Sequence, residues 1–196
     1  MVSATQPWAD TPFPLLPTPG RGQDISKLPP HLHIAREMAC AHNGLLRSLN
    51  SIYQQAPFIS SPTDIKDFLT YITFWCSWIH EHHEGEETLF FPTVEEVTGV
   101  KGLMEKNVEQ HHAFMSELEE LEKCVKEMKV EEYDGEKLRG IIDQFGGKLA
   151  AHLSEEIDTL LELEKYDGVG TGLVKAFTDF DKAMQQGEKV SFSTYL

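Results

Sequence analysis

Basic residues are scarce in this chain: 17 Lys and Arg stand against 32 Asp and Glu, a formal net charge of −15. The shortage removes the electropositive footprint that a nucleic-acid backbone or an anionic membrane requires. The acids fall in runs such as Glu117 to Glu122 and read as solvated helix faces. Cysteine is scarcer still. Cys40, Cys76 and Cys124 are odd in number, form no CxxC pair and lie within helical patterns, so free thiols in a reducing compartment are expected. No apolar run approaches the ~20 residues of a membrane span. Met1 to Thr5 lacks the basic-then-apolar pattern of a secretory leader, which makes the cytoplasm the expected location. Proline is concentrated at one end, with seven of the ten in residues 1–30. No segment alternates as a strand would.

What remains is helical. A length of 196 residues and an apolar content of 40% suit one domain with a sizeable core. Residues 1–30 form an extended Pro-rich arm, which either docks through Trp8, Phe13, Leu15 and Leu16 or stays disordered. The first helix is expected from His31–Ile34 to about Gln55, with Ala35, Met38, His42, Leu45, Leu49 and Ile52 facing inward. The second opens at Ser61-Pro62-Thr63-Asp64, a cap followed by proline at the first helical position. Its stripe is Leu69, Ile72, Cys76, Ile79 or His80, His83, Glu87 and Phe90, and Pro92 is expected to break it. The third, about 101–129, turns Met104, Val108, His111, Met115, Leu118, Leu121 and Val125 inward; the fourth, about 136–164, does the same with Leu138, Ile142, Phe145, Leu149, His152, Glu156 and Leu160. An all-α fold follows, an antiparallel up-down four-helix bundle over 31–164, with a C-terminal helix (173–186) and tail in 165–196.

Each stripe contains one histidine among apolar neighbours, and in the second and fourth helices a glutamate follows one turn later. A His and a Glu four residues apart are separated by about 40° around the helix and about 6 Å along it, so one face presents both to the same ion. Two inward carboxylates without Lys or Arg on the stripes need a compensating charge. A pair of cations inside the bundle supplies it, and imidazole with bridging carboxylate suits iron, manganese or zinc. A single such histidine would read as a hydrogen-bonded core residue; four, one per helix, do not. His31, His33, His82 and His112 lie off the stripes and are expected at the surface.

Ala41-His42-Asn43, His83-x-x-Glu86-Glu87-x-x-Phe90-Phe91-Pro92, Glu109-Gln110-His111 and His152-x-x-Glu155-Glu156 resemble, in order, the four ligand-bearing segments of the hemerythrin family, in its HHE cation-binding branch. The resemblance covers about residues 31–163, and the wider sequence looks most like fungal members. It implies a hemerythrin-like bundle with two non-haem, carboxylate-bridged iron ions. His42, His83, His111 and His152 would be terminal ligands and Glu87 and Glu156 bridges, with Glu86 and Glu155 beside or outside the site. Oxygen-carrying members use a fifth histidine one turn after that of the third helix, where this chain has Met115. Glu84, His80 or an exogenous ligand are the candidates for the vacancy.

Two functions are compatible with this set. One is a binding protein for dioxygen or iron, acting as carrier, store or sensor. The other is a diiron oxidase or oxygenase whose small organic substrate reaches the under-coordinated ion. In both, dioxygen is a ligand or co-substrate and the partners are small molecules. Trp75, Trp78, Phe74 and Phe114 are candidates to line a pocket, or else plain core.

Overall fold

The computed structural model describes residues 9–166 and 168–194, with side chains described as far as residue 186. Six α-helices follow one another: α1 Pro30–Gln55, α2 Pro62–Gly85, α3 Phe91–Thr98, α4 Glu105–Glu127, α5 Gly135–Leu161 and α6 Gly170–Thr194. No strand occurs among the described residues. Local chemistry sets the ends. Ser61 accepts from Asp64 N at 3.2 Å to open α2, and Asp134 accepts from Lys137 N at 3.0 Å to open α5. Gly99 closes α3 at φ +71°, a left-handed value that glycine adopts without a Cβ penalty.

Helices α1, α2, α4 and α5 form a ring in which α1 packs on α2 and α5, and α4 packs on the same two. This is the expected four-helix bundle. Two apolar clusters fill it. One, from Leu45 and Ile72 to Leu118 and Phe145, lies toward the loops at Ala56 and Tyr133; the other gathers Ile34, Met38, Phe90, Phe91, Val94, Met104 and Leu160. α6 lies across α1, α2 and α3 and adds Leu173, Ala176 and Phe180 to the second cluster. It is longer than the 173–186 expected from the sequence.

Pro92 does not break the second helix. Glu86–Phe90 form a π turn, in which Phe91 N–H reaches back to Glu86 O, and the chain continues directly into α3. A π turn already leaves a carbonyl without its α-helical donor, so the N–H that proline lacks is not missed.

The arm is docked from residue 9 onward; Trp8 lies outside the described residues. Two buried asparagines of α1 hold it by both backbone groups. Asn50 accepts from Phe13 N (2.9 Å) and donates to Phe13 O (2.8 Å), while Asn43 accepts from Leu16 N (2.7 Å) and donates to Leu16 O (3.0 Å). The Phe13 ring occupies the space a side chain would need at Gly146 of α5. Gly146→Ala is therefore expected to expel Phe13 and to cost about 1–3 kcal/mol by overpacking. Early tryptic cleavage at Arg21 in that variant, with a lowered Tm, is the measurement; an unchanged cleavage pattern would count against this docking.

Candidate metal centre

Between the two apolar clusters, five imidazoles and two carboxyl groups are buried together: His42, His82, His83, His111, His152, Glu86 and Glu156, none more than 3% exposed. α1 contributes His42, α4 His111, and α5 the pair His152 and Glu156 one turn apart. The end of α2 contributes His82 and His83, and the first residue of the π turn is Glu86.

The donors fall into two groups. In the first, His42 Nε2 lies 3.2 Å from His82 Nε2, and His82 Nε2 lies 3.0 Å from Glu86 Oε1. In the second, His111 Nε2 lies 3.0 Å from His152 Nε2, with the His83 ring stacked 4.1 Å from that of His111. The carboxyl groups join the two. Glu86 Oε2 is 3.5 Å from His111 Nε2, and Glu156 Oε2 is 3.5 Å from His42 Nε2 and 3.8 Å from His152 Nε2.

The far sides of the rings fix which nitrogens face inward. His42 Nδ1 donates to Leu153 O at 2.9 Å, and His111 Nδ1 donates to Glu87 Oε1 at 2.7 Å, so each Nε2 presents a lone pair to the cluster. Behind His152, Gln110 Oε1 lies 3.4 Å from Nδ1, and Gln110 is held by Glu155, itself paired with Lys106.

Burial dominates the electrostatics. It pushes His42, His83 and His152 well below the ordinary imidazole value and lowers His82 and His111 to about 4, so all five rings are neutral near pH 7. Burial also raises Glu86 and Glu156 well above the carboxylate range, helped for Glu86 by the charge of Glu87 and for Glu156 by that of Glu86.

Measured against the sequence expectations, His42, His83, His111, His152 and Glu156 come together in this cluster. Glu87, expected as a bridge, sits on the outer side of His111 and orients it, while Glu86 occupies the inward place. His82, expected at the surface, is buried against His42. The reason is the covering of α2. The bundle buries adjacent residues of this helix every second turn (Phe68 and Leu69, Trp75 and Cys76, then His82 and His83), and at the last pair α6 sets Phe180 against His82. Ile72, Ile79 and Glu86 run between these pairs at seven-residue spacing, and that heptad was a readable signal for Glu86. Glu84 is exposed. His80 faces Glu122, at 3.5 Å, away from the cluster. Met115 packs against the first apolar cluster, and the fifth imidazole comes from α2 instead of α4.

The family model for the hemerythrin HHE cation-binding domain matches residues 33–163. The chain belongs to the hemerythrin family. Its HHE cation-binding domain thus covers the four bundle helices and every donor of the cluster, while the whole arm and all of α6 lie outside the match. The chain is also 35% identical, over 163 residues, to the dimeric xanthone biosynthesis cluster protein R11 of Cryptosporiopsis sp. (strain 8999). That alignment covers 81% of this chain and 61% of the relative. No solved structure gives a significant match to the chain.

The donors of this hemerythrin domain fit cations. His83 Nδ1 and Nε2 and all four oxygens of Glu86 and Glu156 are buried without a hydrogen bond of acceptable geometry. Facing imidazole lone pairs at 3.0–3.2 Å repel unless a proton or a cation lies between them. No Lys or Arg forms an ion pair with either carboxylate among the described residues, so each is balanced either by a proton or by bound metal. Metal binding is the function this arrangement and the family support.

Proposed function

We propose that this chain is a non-haem diiron protein that binds dioxygen or iron, as a carrier, store or sensor. The observation that supports it is the split of one buried donor set into two groups joined by two carboxylates. His42 and His82 would hold one iron and His83, His111 and His152 the other, with Glu86 and Glu156 shared between them. When bound, such a pair supplies reversible binding or reduction of dioxygen. The residues orient neutral imidazoles, place negative charge where the cations need it and exclude water. The two-imidazole end provides fewer protein ligands, so an external ligand is expected there.

The second reading, an oxidase or oxygenase acting on a small organic molecule, draws on a different observation. A cleft of about 420 Å³ reaches His82, the ligand of that same end. A relative whose name places it in a biosynthesis cluster is consistent with it. One experiment separates the two. Iron-loaded protein, reduced without oxygen and then exposed to it, should show a visible band that disappears on deoxygenation if it carries or senses oxygen. Dioxygen consumption that depends on an added aromatic substrate, with no reversible band, would replace the first reading by the second.

A further inference from the structure

The cleft at His82 lies between α1, α2 and α6, and its chemistry is uneven. Its walls are apolar and largely aromatic: Met38, Trp78, Phe177, Phe180 and Met184. Its charged groups are both acceptors, Glu37 and Asp181, and no Lys or Arg lines it among the described residues. His33 Nδ1, on the same wall, has no hydrogen-bond partner. The outer wall belongs to α6, outside residues 33–163 that match the family, so the cleft is an addition to the bundle. α6 is held close to the centre. Met184 occupies the space a Cβ would need at Gly85, and the Phe180 ring lies 5.9 Å from that of His82.

We propose that this cleft is a binding site for a planar, neutral aromatic molecule carrying hydroxyl donors, seated with one edge against His82. The volume suits it, since small-molecule pockets run from roughly 300 to 1,000 Å³ and are lined mainly by apolar and aromatic side chains. The flat walls provide ring contacts. Glu37 and Asp181 accept from hydroxyl groups and repel carboxylates and phosphates, a discrimination built on like-charge repulsion. A ligand seated there has its edge beside the two-imidazole end of the centre. The consequence for chemistry rests on the diiron reading, but binding does not.

The test uses 2,7-dihydroxynaphthalene as probe and 2-naphthoate as the anionic comparator, followed by quenching of Trp78 fluorescence, with metal content measured in parallel. The diol is expected to saturate at one equivalent in metal-loaded and metal-free protein alike, with naphthoate about tenfold weaker, a difference of roughly 1.4 kcal/mol. Trp78→Phe should remove the quench. Ala41→Trp, which fills the cleft floor, should weaken the diol about tenfold or more. Asp181→Lys, an exposed change that spares the bundle, should raise the affinity for naphthoate toward that of the diol. Absence of saturable quenching in folded protein, or equal binding of the two probes, overturns the proposal. Unchanged discrimination in Asp181→Lys does the same. Loss of metal with the diol still bound would instead remove the diiron reading and leave the site standing.

Discussion

Glu86→Ala is expected to empty the metal centre, from the two equivalents of iron that the diiron proposal requires to essentially none, whereas Glu87→Ala is expected to keep its metal with affinity lowered about 10–100-fold. The contrast follows from where the two carboxylates stand. Glu86 is fully buried, 3.0 Å from His82 and 3.5 Å from His111, and belongs to both donor groups. Its removal takes a shared ligand and half the negative charge. Glu87 hydrogen-bonds His111 from its outer side, at Nδ1, so its loss leaves every inward donor in place and frees one ring to turn. Metal analysis after dialysis, with circular dichroism to establish folding, is the measurement. Equal loss in both variants would mean that Glu87 enters the cluster, and full retention in Glu86→Ala would exclude it as a bridge.

The same neighbouring pair shows what was legible in the chain. The bundle could be read from periodicity because every long helix keeps a 3-4 apolar stripe, and His42, His111 and His152 sit on theirs. α2 departs from that rule where it matters. A narrow inward track buries single residues; α2 buries adjacent pairs every second turn, and at His82 and His83 the Phe180 ring of α6 completes the cover over His82. No pattern within residues 62–92 announces that a helix a hundred residues later will lie across them. The π turn was hidden for a related reason. Its only sequence mark is Pro92, and proline after a helical run more often signals an end than a changed hydrogen-bond spacing. The arm was ambiguous until its partners were known, because Asn43 and Asn50 read as ordinary polar residues until the backbone of Phe13 and Leu16 is set against them.

Removing the metal is expected to change how stability depends on pH as well as its size. In metal-free protein the five imidazoles have lowered pKa values, so the unfolded chain binds more protons than the folded one as pH falls below the ordinary 6.5; stability is lost in that direction. Glu86 and Glu156 act oppositely. Their raised pKa values make the folded state the better proton binder above the ordinary 4.5, so stability is lost as pH rises from there through their folded values. Five imidazoles outweigh two carboxyl groups below the ordinary imidazole value of 6.5, so metal-free protein should be most stable close to that value, with Tm falling in acid and again toward pH 8. Bound cations hold the carboxylates ionised and remove the second loss. At a free iron concentration about 1,000 times Kd the gain is about 4 kcal/mol, or roughly 8–16 °C at this chain length. Calorimetry at pH 5.5, 7 and 8 with and without iron tests both parts. A metal-free Tm that rises between pH 7 and 8, where the carboxyl effect stands alone, would contradict the burial of two uncompensated carboxyl groups.

The continuity of α2 through the π turn into α3 governs traffic. Phe90, Phe91 and Val94 close the centre from the end of the bundle, with Phe91 stacked 5.8 Å from His111, and they belong to the same unbroken rod that carries His82, His83 and Glu86. A roof built in one piece with the ligand-bearing helix has no hinge of its own. The cleft that reaches His82 opens instead on the flank, so the side of the centre left without such a roof is the one walled by α6.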